Sequence, residues 1–295
     1  MDETALRERF RTLPLSDDFM FGEVMRRPEI CRMFLEALLG TRIARIEYIT
    51  KQQDISGSLL SHGIRLDVYL ADERNTVYSI EMQTSSEAEL TKRIRYYQSA
   101  IDRHNLKKGQ RYYLLPETYI IMICTFDRFN AGLAVYERLF TVRDCPEAEY
   151  SDGSHVFLLN SAYTKGNAEK AVLEFLDCIR NNNADARTYS SPLMRAVCPA
   201  IEDVRNDQGK EAAYMTLQMK LDEIRWAAED KGRAEGRAEG RAEGRAEGRT
   251  NAMLENIRTL MVNMGWDEEQ AMNALGLSPE QRQQFRRSPK GSYPP

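Results

Sequence analysis

No window of the 295-residue chain reaches 18 apolar residues, and the N-terminal stretch "MDETALRERFRTLPLSDDF" has no apolar core of the secretory kind. Membrane spanning and secretion are therefore not expected, and the expected compartment is cytoplasmic. Cysteine is sparse: Cys31, Cys124, Cys145, Cys178 and Cys198 are odd in number and scattered, with no close pair of metal-ligand spacing. That pattern argues against a disulfide scaffold and suits a reducing compartment. Histidine is rarer still. His62, His104 and His155 lie far apart without evident triad partners and read as surface or loop residues. Neither a G-x-x-x-x-G-K-S/T phosphate loop nor an H-E-x-x-H metal helix occurs. An excess of positive charge is also missing. The net charge is −4, so any grip on nucleic acid must come from a local patch.

Apolar residues make up 42% of the chain and charged residues 29%, the balance of a globular protein with a sizeable core. In "SDDFMFGEVMRRPEICRMFLEALLG" the residues Phe21, Val24, Met25, Ile30, Phe34, Leu35 and Leu38 fall at helical spacing, with Gly40 as the stop. "RIARIEYIT" reads as a first strand. "ETYIIMICTFD" is an almost continuous apolar run, as expected of a strand buried on both faces. "GLAVYERLFTV" and "HVFLLN" are further strands, and "NAEKAVLEFLDCIR" is an amphipathic helix. Strands and helices interleave, which predicts an α/β layered domain.

The stretch "IRLDVYLADERNTVYSIEMQ" carries the chemistry. Ile64, Leu66, Val68 and Leu70 alternate with Arg65, Asp67 and Tyr69, so Asp67 stands on the polar face of its strand. The same period puts Glu81 and Gln83 on one side of the next strand, opposite Tyr78, Ile80 and Met82. If "DERNT" closes a hairpin with residues 71 and 77 paired, Asp67 faces Glu81 with Cβ atoms about 5 Å apart. Opposed carboxylates repel, and a divalent ion between them would remove the cost; Mg²⁺ takes one or two carboxylates plus waters and phosphate oxygens. A second reading fits the alternation equally well: a polar face open to solvent, with Arg65 paired to Glu81.

Downstream, Ser86 and Glu89 predict a capping box, and Leu90, Ile94, Tyr97 and Ile101 form one apolar face of the helix that follows. Its other faces are basic. From Lys92 to Arg111 there are seven Lys or Arg against one acid, Asp102, a local charge of +6 in a chain that is otherwise acidic. This is either a phosphate footprint or an ordinary solvated helix surface. Lys92, Arg93, Arg95 and Gln98 are the candidate phosphate contacts of this helix.

After a helix expected over residues 209–230 comes "GRAEGRAEGRAEGRAEGR". Its period of four never sets Arg and Glu three or four apart, and each glycine costs an isolated helix about 1 kcal/mol. A linker or marginal helix is expected there in preference to a packed helix pair. The tail holds short helices: Met253, Ile257, Leu260 and Met261 form a stripe, "GW" turns the chain, and Ser278 with Pro279 starts a last helix. This tail reads as a DNA-associated end or as a small docking module through which a homodimer would form.

The segments "LPLSDDFMFGEVM", "GIRLDVYLADERNTVYSIEMQ", "KRIRYYQSAIDRHNLKKGQRYYLLPETYIIMICTFDRF" and "AVLEFLDCIR" together resemble the Rpn family of recombination-promoting nucleases and transposase-like proteins, a branch of the PD-(D/E)XK nucleases. The resemblance implies an α/β, restriction-endonuclease-like mixed sheet flanked by helices, followed by an α-helical C-terminal extension. It further implies cleavage of DNA phosphodiesters with Mg²⁺, or Mn²⁺, as cofactor. Asp67 and Glu81 would be the metal ligands, and Gln83 would stand where the superfamily usually has lysine, orienting water through a neutral amide. Likeness to the helix that follows the metal motif in related nucleases implies Arg95 and Gln98 as secondary contacts to the site, with DNA as the ligand. Asp17 and Asp18 match the family's N-terminal motif and also suit a helix cap. The expected organisation is an arm over 1–12, a nuclease-like domain over 13–220, a helix and repeat linker over 221–250, a helical module over 251–285 and a disordered tail over 286–295. A nuclease-fold module that binds DNA or a protein partner without efficient chemistry is the alternative, and no residue pattern indicates strand joining.

Overall fold

Two periods in the sequence, two for strands and about 3.6 for helices, sort the chain into a sheet and the helices on its faces. The computed structural model describes residues 3–48, 54–55, 64–65, 67–85, 88–145, 147–148, 150–279 and 281–283. Three helices come first: α1 (Glu3–Arg11), α2 (Asp18–Met25) and α3 (Pro28–Leu39). The stretch expected as an arm is part of the core. Leu6 and Phe10 of α1 are buried, and Phe10 lies 5.6 Å from Tyr214, ring centre to ring centre. Two apolar residues four apart are too short a stripe to stand out as periodicity. The long helical run over 16–40 divides at Pro28, which has no N–H to continue a helix and so opens α3 at its first position. Gly40, at φ +65°, ends α3 with its N–H on the Glu36 carbonyl at 3.0 Å.

The strands follow as β1 (Ile46–Tyr48), β2 (Asp54–Ile55), β3 (Ile64–Arg65), β4 (Val68–Asp72) and β5 (Val77–Gln83). Helix α4 (Leu90–Asn105) and a short 3₁₀ turn at Tyr112–Leu114 lead to β6 (Thr118–Cys124), β7 (Val135–Glu137) and β8 (Ser154–Asn160). The main sheet has the order β1-β4-β5-β6-β8-β7; β5, β6 and β8 run parallel to one another through the β5–β6 and β6–β8 pairs, while the β1–β4, β4–β5 and β7–β8 pairs are antiparallel. It is a mixed α/β sheet flanked by helices. The strand expected over 64–70 is two pieces, however: β3 pairs with β2 in a separate ribbon, and Asp67 sits in a bend before β4. Helices α5 (Lys170–Asn181), α6 (Pro192–Asn206) and α7 (Gln208–Met264) complete the order with α8 (Glu268–Ala274).

Each face of the sheet has its own cover. On one, Leu70, Ile80, Ile121 and Leu159 meet Phe21, Phe34, Phe175 and Val197 from α2, α3, α5 and α6 in a core without a charged member. On the other, Tyr69, Val77, Ile120 and Met122 meet Leu90, Ile94 and Ile101 of α4.

The chain forms two compact units, Met1–Leu217 and Gln218–Pro295. In the second, the repeat expected as linker or marginal helix is continuously helical within α7, with open space around Gly232, Gly236, Gly240, Gly244 and Gly248. Ala, Arg and Glu are strong helix formers, and extending a helix already nucleated upstream costs far less than starting one. Ile257, Ala271, Met272 and Leu277 make this unit's small core, and Asp267 with Gln270 forms a capping box at α8. Among the described residues no helix is long and apolar enough to cross a membrane.

Candidate active site

Strand pairing fixes the site. β4 and β5 pair with Ala71 opposite Val77 and Val68 opposite Ile80, the register that sets Asp67 against Glu81. Although Asp67 lies just outside β4, two bonds tie it to β5. The Asp67 N–H donates to Glu81 Oε1 at 3.2 Å, and the Met82 N–H donates to Asp67 Oδ2 at 3.0 Å. Ser79, two residues before Glu81 on the same face, donates its hydroxyl to Glu81 Oε1 at 3.2 Å. Its position was legible as a period-two neighbour, but its type gave no sign of a role.

The polar face of β5 is not open to solvent. Helix α4 covers it, leaving Glu81 only 3% exposed and Ser79 fully buried. Any Arg65–Glu81 pairing lies outside the described side chains. Burial, reinforced by the charge of Asp67, holds the Glu81 carboxyl well above its ordinary pKa, against the opposing pull of the Asp67 N–H, the Ser79 hydroxyl and Arg93. Such an environment penalises two anions and favours them once a cation is shared. The donor set fits a hard divalent ion: oxygen atoms only, two carboxylates, and coordination left for water and substrate phosphate. No group of three His, Cys, Asp or Glu that could form a closed cage occurs among the described residues.

Gln83, half-buried at the end of β5, donates from Nε2 to the Met82 carbonyl at 2.7 Å, while its Oε1 accepts from Nη2 of Arg93. Arg93 is the α4 cation that reaches the site; its guanidinium also lies 5.9 Å from the centre of the Tyr97 ring. The secondary contacts expected at Arg95 and Gln98 are placed otherwise. Arg95 and Lys92 are exposed, and Gln98 donates to Asp102 of its own helix at 2.8 Å. Arg93 comes one residue before Ile94, at the edge of the apolar face, and counting charge along the helix cannot separate it from its exposed neighbours. The predicted capping box turns on Ser86, which lies outside the described residues; α4 has Glu89 at its N-cap position, without a side-chain cap bond of its own.

Asp17 caps α2, accepting from the Phe19 N–H at 3.0 Å, and Asp18 is exposed in the first turn. His155 is not a loop residue: it lies in β8, stacked on Tyr119 at 4.4 Å and 2.8 Å from Glu117. His104 is exposed on α4, and His62 falls outside the described residues. Cys124, opposite Gln83 in the register, is no nucleophile, since burial pushes its thiol up to about 12.

A model of the family described as PD-(D/E)XK nuclease family transposase matches residues 18–230, a span that contains Asp67, Glu81, Gln83 and Arg93. Searches of curated proteins and of solved structures find no match to this chain. With more than two thirds of the residues matched, and with a mixed sheet presenting paired carboxylates beneath a basic helix, the chain belongs to the PD-(D/E)XK nuclease family transposases.

Proposed function

We propose that this chain is a metal-dependent DNA endonuclease in which Asp67 and Glu81 hold Mg²⁺ or Mn²⁺. The observation that supports it most is the buried Glu81 carboxyl group held against Asp67 by the Asp67 N–H. Bound there, a divalent ion supplies polarisation of the scissile phosphate and a coordinated water of lowered pKa. The chain's own part is positioning. Ser79 and the Asp67 N–H fix one oxygen of Glu81, and the Met82 N–H fixes one oxygen of Asp67, so both carboxylates are oriented before substrate arrives.

Gln83 replaces the lysine usual in the superfamily and brings no charge. In this reading Arg93 provides that charge from α4: anchored by the Gln83 amide oxygen, its guanidinium stands where it can stabilise negative charge developing on the phosphate. The remaining cations of α4 bind the backbone on either side.

The test is cleavage of supercoiled plasmid by purified protein with Mg²⁺, Mn²⁺ or chelator, beside Asp67→Ala. Nicking that needs metal and disappears in the variant is the expected result. Binding of plasmid without cleavage under any metal would favour a non-catalytic DNA-binding module.

A further inference from the structure

We propose that the turn Tyr112–Leu114, with the cations leading into it, is a stacking platform for unpaired nucleotides of the DNA substrate. This deepens the endonuclease reading and rests on it. Tyr112 is 82% exposed and Tyr113 76%, whereas Tyr69, Tyr78 and Tyr214 of the same unit are buried. Two adjacent bare rings contribute little to a core, so their energetic value must lie in something they contact.

The turn that carries them is tied down. Leu114 N–H bonds the Arg111 carbonyl at 3.1 Å, Leu115 N–H the Tyr112 carbonyl at 3.0 Å, and Lys107 N–H the Gln110 side chain at 2.6 Å. The rings are therefore presented at little ordering cost on binding.

Charge complements them. Lys92, Arg95, Arg103, Lys107, Lys108 and Arg111 are exposed and make no ion pair among the described residues. Elsewhere Arg7, Arg32, Arg180 and Arg205 each pair with an acid three or four residues away, whereas between Lys92 and Arg111 only one acid, Asp102, stands against seven cations. Cations left unpaired along one helix and loop attract phosphates, and bare aromatic rings set among them add base stacking. A closed duplex offers phosphates there but hides its base faces, so the rings select unpaired nucleotides.

Position agrees with a role in substrate choice. The turn leads into Thr118, which pairs with Val77, and Gln83 pairs with Cys124 at the other end of the same strands. Six strand steps separate the two ends, about 20 Å at 3.3 Å per residue.

The experiment is fluorescence anisotropy with full-length Asp67→Ala protein, using a labelled single strand and a blunt duplex of equal length. Adding Tyr112→Ala and Tyr113→Ala is expected to weaken single-strand binding about tenfold or more with duplex binding unchanged, while the Tyr112→Phe and Tyr113→Phe pair keeps it. Lys107→Gln with Lys108→Gln should weaken both ligands and flatten the salt dependence. Unchanged single-strand affinity in the alanine pair, or equal losses for strand and duplex, would overturn the platform and leave the endonuclease reading intact. If the Asp67→Ala parent binds neither ligand, the DNA reading fails and the platform with it.

Discussion

The two faces of one sheet have been put to different uses. Under α2, α3, α5 and α6 the strands bury aliphatic and aromatic side chains alone, with Phe34 and Phe175 packed at 5.0 Å between ring centres. Under α4 the face holds a smaller apolar cluster and then gives way to Ser79, Glu81 and Gln83. Large apolar burial on one side stabilises the fold enough for the other side to carry opposed carboxyl groups, whose burial and mutual repulsion oppose folding. Strain at the candidate site and stability of the scaffold are thus separated by the thickness of a sheet.

The largest expected effect breaks the apolar face. Phe175→Ala should cost about 3–5 kcal/mol in denaturant unfolding, the range for deleting a fully buried ring. Loss below about 1 kcal/mol would mean this face is less decisive than its burial indicates.

Next in size is an anion that serves structure alone. Glu174 accepts from the Ser190 and Ser191 N–H groups and the Ser190 hydroxyl at 2.9–3.3 Å. Burial would raise its pKa, but these bonds bring it down to about 2. A depressed folded-state value stabilises above the unfolded pKa and is lost as pH falls through the folded one. Glu174→Gln should therefore cost about 2–3 kcal/mol at neutral pH, with variant and wild type converging as pH falls toward 2. Parallel pH profiles would contradict this.

Glu81 sharpens the contrast because its sign is opposite. With the folded-state pKa raised, its contribution is complete below the unfolded value and is lost as pH rises through the folded one. Metal-free Glu81→Gln should be more stable than wild type once pH rises above the unfolded-state value, with the margin growing toward the folded-state one, while losing cleavage, a trade of stability against function. Thermal midpoints measured across pH in chelator would show it, and a variant less stable at every pH would rule it out.

The smallest effect probes the missing lysine. Gln83→Lys sets an ammonium against the Arg93 guanidinium and should cost about 0.5–1 kcal/mol of stability, without raising the cleavage rate unless Arg93→Gln is added. A single Gln83→Lys variant that cleaves faster would show that Arg93 does not supply the charge.

Much of this was written in the local pattern. Period-two alternation fixed which residues share the Glu81 face, and assuming that 71 faces 77 gave the register that opposes Asp67 and Glu81. What escaped depends on tertiary cover. A polar strand face reads the same in water as beneath a basic helix, so the burial of Glu81 was invisible, as was the choice of Arg93 over Arg95. The break before Asp67 was hidden because Ile64–Leu70 keeps its alternation through the bend. In the repeat, weak local propensity is overridden by helix propagation from upstream.

The most direct measurement is calorimetric titration of the full chain with Mn²⁺, beside Asp67→Ala and Glu81→Gln. One binding site in the wild type, lost in both variants while their folds persist, is the predicted result; undiminished Mn²⁺ binding in either variant would contradict a metal held between these two carboxylates.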